Sequence, residues 1–235
     1  MPKIAICYWG MTRSTRFVYP SHYANLFNVL KENGAEYDVY LHTWKTDHNY
    51  IWSDDIPIKN DYTEHNFLNP TAYQIDNQDE FLNTINFNDY YYPNTNREWI
   101  PELIRNYICA LESQKRCFNM CVKSNIKYDF VIFVRPDVLL TIKLPYKEIF
   151  EHKLCVHNSI VVPTDDWFEG YNDRFAIIKF DNAYNYINRI NELVYYRKNI
   201  DYIVSEKYTK YIIDKYYNLQ TIYFPFKIIR PNGLP

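Results

Sequence analysis

An arginine and an aspartate held apart by one proline, Arg135-Pro136-Asp137, interrupt the most continuous apolar run of the chain, Tyr128 to Leu140. A guanidinium offers a planar fork of donors that matches a carboxylate or a phosphate at two points. The pair can therefore close on itself as a salt-bridged strand end, or its arginine can hold an anionic ligand. A glycine, a hydroxyl and a second arginine follow the first apolar run, as Gly10-Met11-Thr12-Arg13, and that set suits one or two phosphates. It is neither the G-x-G-x-x-G of a dinucleotide site nor a Walker A loop, so neither assignment is supported. The densest group of chemically capable side chains lies between Pro163 and Arg174, where Asp165, Asp166, Glu169 and Asp173 share a loop with Trp167, Asn172 and Arg174. Such a loop is costly unless it serves binding, the alternative being a solvated acidic turn. His42-Thr43-Trp44 forms a further polar cluster after an apolar run, its histidine read as structural. Gln114 falls on the apolar face of a long helical pattern, where an unpaired amide costs about 1–3 kcal/mol, so it must bond to backbone, to a neighbouring side chain or to a ligand.

The elements that position these residues follow from periodicity. Phe130 to Val134 are β-branched or aromatic, bounded by polar residues and too few for an ordinary helix, and read as a strand buried on both faces. Pro136 cannot donate to a central ladder, so the strand ends near Arg135, and ligands of open α/β sheets bind just outside such carboxyl ends. Lys3 to Trp9, Tyr37 to Leu41, Ala72 to Ile75, Ser159 to Val162, Phe175 to Phe180 and Thr221 to Ile229 read as further strands. Helices are expected from Ser21, as an N-cap after Pro20, to Gly34, from Pro101 to about Ser124, from Pro145 to His152, and after caps at Asp181 and Ser205. Between about residues 45 and 99 Asp, Asn, Tyr and Pro dominate and periodicity is lost, which reads as a surface excursion over the sheet edge that serves as an acceptor lid or is a variable insertion.

Composition narrows the function classes. The chain has 235 residues, 47% hydrophobic and 23% charged, with a formal net charge of −2, so no polybasic surface argues for nucleic acid or an anionic membrane. The 25 tyrosines accompany abundant Asn, Ile and Lys, a pattern explained by A/T-rich codons. No apolar run reaches the roughly 18 residues needed to span a bilayer and no leader segment is recognisable, so a cytoplasmic chain is expected. Cys7, Cys109, Cys117, Cys121 and Cys155 are odd in number and lack C-x-x-C spacing, which favours neither disulfides nor a zinc ribbon.

Five segments in order, C-Y-W-G-M-T-R-S, Y-D-V-Y-L-H-T-W, Y-D-F-V-I-F-V-R-P-D-V, G-Y-N-D-R-F-A-I and I-R-P-N-G, resemble the small GT-A-type glycosyltransferases of large DNA viruses, bacteria and algae. The resemblance spans most of the chain outside the excursion. It implies an α/β fold, a single GT-A (Rossmann-like) domain with a mostly parallel central sheet flanked by helices. It also implies a nucleoside diphosphate sugar donor and a glycan or glycoconjugate acceptor. In that class a D-x-D motif holds Mn²⁺ or Mg²⁺ against the diphosphate, and its place here is Arg135-Pro136-Asp137, with a cation instead of the first carboxylate. Asp137 is then the one metal ligand to name, and weak or absent metal dependence is expected. Asp173 matches the carboxylate that inverting members use as general base. Gly10, Thr12, Arg13, Thr43, Trp44, Gln114, Arg135, Asp166, Asn172 and Arg174 are the expected substrate-binding residues. Two other readings compete. One is a metal nuclease, because Pro136-Asp137 and Glu151-His152-Lys153 fit a loose P-D…E-x-K pattern that needs its second half on a strand. The other is a nucleotide- or glycan-binding module without chemistry.

Overall fold

A computed structural model describes residues 1–46, 61–91, 100–165 and 167–235. In chain order the elements are β1 (Lys3–Trp9), α1 (Thr15–His22), α2 (Asn28–Glu32), β2 (Glu36–Lys45), β3 (Ala72–Asn77), α3 (Gln78–Leu82), α4 (Pro101–Lys123), β4 (Phe130–Val134), β5 (Val138–Leu140), β6 (Ser159–Pro163), β7 (Phe175–Lys179), α5 (Tyr184–Ile187), α6 (Leu193–Asn199), α7 (Ser205–Tyr216), β8 (Asn218–Ile222) and β9 (Phe226–Ile228). Seven strands form one sheet in the order β3-β2-β1-β4-β7-β6-β8, and β5 pairs with β9 in a small second sheet. In the large sheet β1, β2, β3 and β4 are mutually parallel, as are β6 and β8, and β7 runs against its neighbours, while β5 and β9 are antiparallel. The expected α/β fold, a mostly parallel central sheet with flanking helices, is what the chain forms.

The central strands are apolar on both faces because helices cover both. Along β1, Ile4, Ile6 and Tyr8 pack with Leu26 and Leu30 on one side, while Ala5, Cys7 and Trp9 pack with Cys117 and Phe118 of α4 on the other. β4 repeats the alternation, Ile132 and Val134 facing one cluster and Val131 and Phe133 the other. Each fully buried Ile, Val, Leu or Phe among them contributes about 1.5–3 kcal/mol of transfer free energy. A third cluster joins α4 to α6 and α7 through Ile104, Ile108, Leu193, Tyr208 and Ile212. Cys117 and Cys121 are buried in the second cluster as small core residues, and all five thiols are free.

Several boundaries differ from expectation. β2 continues through Lys45 because β3 pairs alongside it from Tyr40↔Ala72 to Lys45↔Asn77, so His42, Thr43 and Trp44 lie within the strand rather than after it. The first helix begins at Thr15, and Ser21 is not its cap: the Ser21 hydroxyl donates to Val18 O (2.7 Å) and accepts from Leu140 N (3.1 Å). Pro20 sits inside this helix, and one wider π-helical turn, Tyr23–Phe27, follows before α2. The last strand is broken at Pro225 into β8 and β9, which serve different sheets. Asp181 and Ser205 are not side-chain caps; Ser205 is the first residue of α7. Within the excursion, β3 is the sheet's edge strand and α3 follows it, whereas residues 47–60 and 92–99 lie outside the described residues.

Candidate active site

Strand order reverses between β1 and β4, since β2 and β3 extend the sheet on one side of β1 and β4 begins the other. At this switch point the carboxyl ends of adjacent strands diverge and leave a crevice. Gly10, Arg13, Trp44, Arg135 and Asp137 line one cleft there, together with Trp9, Met11, Pro136, Gln78 and the α4 residues Asn106, Cys109 and Ala110. Gly10 turns the chain out of β1 at φ +96°, a left-handed conformation that favours glycine, and its N–H donates to Ser113 Oγ at 2.8 Å.

Asp137 is the electrostatic pivot. It is buried, and Arg135 grips it at two points, Nε to Oδ1 at 2.9 Å and Nη2 to Oδ2, while Arg13 Nη2 stands 3.4 Å from Oδ2. Burial alone would raise the Asp137 carboxyl; the charges of Arg135 and Arg13 and their hydrogen bonds outweigh it and hold the group below its usual range. Arg13 is lowered by its own burial, opposed by Asp137 and reinforced by the neighbouring charges of Arg135 and Arg230. Two guanidiniums, Arg13 and Arg135, thus meet one buried carboxylate at the cleft, with Arg230 near Arg13. Arg230 belongs to the I-R-P-N-G segment; its placement beside Arg13 was not legible because strand and tail residues far apart in sequence meet only in the fold.

β7 enters the sheet where β4 leaves it, because the two are antiparallel. The loop carrying Asp173 and Arg174 thereby reaches the same edge, and Arg135 N donates to Arg174 O at 3.2 Å. Asp173 is 6% exposed; its Oδ1 lies 3.7 Å from Arg174 Nη1 and accepts no hydrogen bond among the described residues. Asn172 shapes the loop: its Oδ1 accepts from Arg174 N (2.9 Å) and Phe175 N (3.1 Å), and its Nδ2 donates to Asp165 O (2.9 Å). Asp166 lies outside the described residues.

The other expected residues are placed more deeply. His42 is fully buried and satisfied, with Nδ1 2.7 Å from Ser113 Oγ and Nε2 3.1 Å from Asp76 Oδ2, and burial pushes its pKa down to about 4. Trp44 donates from Nε1 to Cys109 O (2.9 Å) and stacks on Phe81, with the Arg116 guanidinium 4.9 Å over its ring, so it serves as a fixed wall of the cleft. Thr12 and Thr43 are buried, and Thr43 Oγ1 makes no hydrogen bond among the described residues. Gln114 lies against the Tyr186 hydroxyl, yet neither end of its amide completes a hydrogen bond of normal geometry among the described residues.

Sequence reasoning missed Trp9, whose buried indole N–H lines the cleft without a partner among the described residues, and Glu206, a 3%-exposed carboxylate bonded to Arg174. A tryptophan ending a strand and an acid opening a helix carry no signal by themselves. The nuclease pattern is not met: Glu151 closes a π-helical turn, Lys147–Glu151, and is exposed, where a strand beside Asp137 was required. Among the described residues no three His, Cys, Asp or Glu side chains cluster so as to hold a metal ion, and no helix is long and apolar enough to cross a membrane.

No family model and no curated protein matches this chain. Solved structures do. The apo form of the glycosyltransferase GlyE from Streptococcus pneumoniae TIGR4 is 10% identical and superposes over 93% of this chain and 44% of its own, with a TM-score of 0.41. The apo structure of the bifunctional glycosyltransferase WbbM is 10% identical and matches 94% of this chain and 38% of its own, with a TM-score of 0.48. The chain thus spans less than half the length of these proteins.

Proposed function

We propose that the chain transfers a sugar from a nucleoside diphosphate sugar to a hydroxyl of a glycan or glycoconjugate, with inversion at the anomeric carbon. The observation that carries this reading is the pair of guanidiniums, Arg13 and Arg135, sharing one buried carboxylate at the crevice between β1 and β4. Two guanidinium forks at the wall of a cleft suit a multiply charged anion, and the switch point of a parallel sheet is where nucleotides dock.

In the reaction the acceptor oxygen attacks the anomeric carbon as Asp173 takes the hydroxyl proton. The bond from that carbon to the diphosphate oxygen breaks, its electron pair staying with the diphosphate. Arg13 and Arg135 neutralise the charge that builds on this leaving group. Around Asp137 the residues do not fit Mn²⁺ or Mg²⁺, hard cations that take oxygen ligands, because both carboxylate oxygens are engaged by guanidiniums. In this proposal the arginines do the work a metal does elsewhere. The test is a panel of nucleoside diphosphate sugars and simple glycosides assayed for release of nucleoside diphosphate with and without chelator. Acceptor-dependent release that survives chelation supports the reading. Failure of every nucleoside diphosphate to bind refutes it.

A further inference from the structure

The loop ending at Asp173 is fastened to the first turn of α7, and the fastening brings two buried carboxyl groups to one guanidinium. Tyr171 N donates to Glu206 O at 3.0 Å, and Gly170 packs so closely that a Cβ there would stand 1.9 Å from the same carbonyl oxygen. Above this backbone contact, Glu206 Oε1 accepts from Arg174 Nη2 at 3.1 Å and its Oε2 from Ser205 Oγ at 2.8 Å. Asp173 Oδ1 faces the other arm of the same guanidinium, Nη1, at 3.7 Å. Both acids are nearly excluded from water, at 6% and 3% exposure.

We propose that Asp173 and Glu206 form one carboxyl pair bridged by Arg174, in which Glu206 is a positioning residue that holds Arg174 against Asp173 and feels its charge. This rests on the reading of Asp173 as the base. One guanidinium balances one carboxylate. Among the described residues Arg135 also faces both acids, and it is committed to Asp137 by two hydrogen bonds. Two like charges in a low-dielectric pocket raise the cost of ionising both, and their protons leave in steps that belong to the pair. Burial first, and the Asp173 charge second, push the Glu206 carboxyl up from its ordinary range. Among the described residues, Tyr107 of α4 and Tyr186 of α5 also feel the Asp173 charge, and burial holds their phenols in the neutral form.

The test is a thermal-unfolding cycle from pH 4 to 8 on the wild type, Glu206→Gln, Asp173→Asn and the double variant. A carboxyl whose folded value is raised contributes stability that is complete below its unfolded value and lost as pH rises through the folded one. Glu206→Gln should therefore gain Tm relative to wild type as pH rises, and that gain should shrink in the Asp173→Asn background. The same pH course in both backgrounds overturns the pairing, whatever the chain catalyses. If Glu206→Gln does not fold, a carboxyl-resolved NMR titration decides instead: Glu206 must titrate at lower pH in Asp173→Asn than in wild type, and an unmoved titration overturns the pair. A wild type without any transfer activity refutes the proposed function, and the thermal cycle still decides on the pair.

Discussion

Arg135 and Asp137, two residues apart, meet in a two-point ion pair at the mouth of the sheet, Nε to Oδ1 at 2.9 Å and Nη2 to Oδ2, with the carboxylate buried. Pro136 between them ends β4 and turns the chain so that both side chains face the same cleft. Removing one partner leaves the other charge uncompensated, which costs on the order of 3–5 kcal/mol for buried pairs. Asp137→Ala should lose stability of that order by urea denaturation. Because the Asp137 carboxyl is held below its usual range, its contribution is present above the unfolded value and lost as pH falls through the folded one. The deficit of the variant should accordingly narrow in acid, and a deficit that stays constant down to pH 2 would contradict this.

A second pH dependence comes from two buried imidazoles. His22 sits with Nδ1 2.8 Å from the Tyr8 hydroxyl and Nε2 2.6 Å from Val138 O, and burial pushes both His22 and His42 down to about 4. The unfolded chain takes up these protons first, near pH 6.5, so stability is complete above that value and falls progressively towards pH 4. Each histidine accounts for roughly 3 kcal/mol over this window. His42→Gln should flatten the fall of Tm between pH 7 and 4.5; an unchanged slope would mean that His42 is protonated in the fold.

The contact of Gly170 with α7 gives a prediction about the loop. A Cβ at this position meets Glu206 O at 1.9 Å and Glu206 C at 2.1 Å, both backbone atoms that cannot swing aside. Gly170→Ala should lower stability by about 1–3 kcal/mol, the usual cost of overpacking, and reduce turnover by displacing Asp173. At Gly10 a Cβ meets nothing within 4 Å, so Gly10→Ala should cost only the left-handed strain, about 1–2 kcal/mol. Equal stability of Gly170→Ala and wild type in urea would remove the loop fastening from the account.

The catalytic reading is tested at Asp173. Asp173→Asn keeps shape and removes the proton acceptor, so turnover should fall by roughly 10²–10⁴ while donor affinity stays nearly unchanged. Parallel loss of donor affinity and Tm would instead make Asp173 a structural partner of Arg174.

How much of this was legible in the sequence depends on range. β4 and α4 were, because a short β-branched run and a long 3.6-residue periodicity are local signals, and their packing in the fold follows the same pattern. Gly10, Arg13, Arg135 and Asp137, named from strand-exit positions, converge on one cleft, and Trp44, read as following a strand, reaches it from within β2. The start of α1 was not legible: Pro20-Ser21 reads as a helix start, yet the Ser21 hydroxyl is taken by Leu140 N of β5. β5 itself spans only three residues and exists through its pairing with β9, so no local pattern announces it. Asn172 looked like a ligand for a sugar; its Oδ1 and one Nδ2 hydrogen are engaged by backbone within its own loop. Glu206 acquires its role only when α7 docks on that loop, a contact between residues far apart in the chain.

The central claim is that the cleft between β1 and β4 holds a diphosphate through Arg13 and Arg135. It is tested most directly by calorimetric titration of nucleoside diphosphates and the corresponding nucleosides into wild type and Arg135→Ala. A charge-assisted hydrogen bond is worth about 1.5–3 kcal/mol, so Arg135→Ala should weaken diphosphate binding by roughly 10–150-fold and leave nucleoside binding within a few-fold. Equal weakening of both ligands, or no binding of any nucleoside diphosphate to wild type, would contradict it.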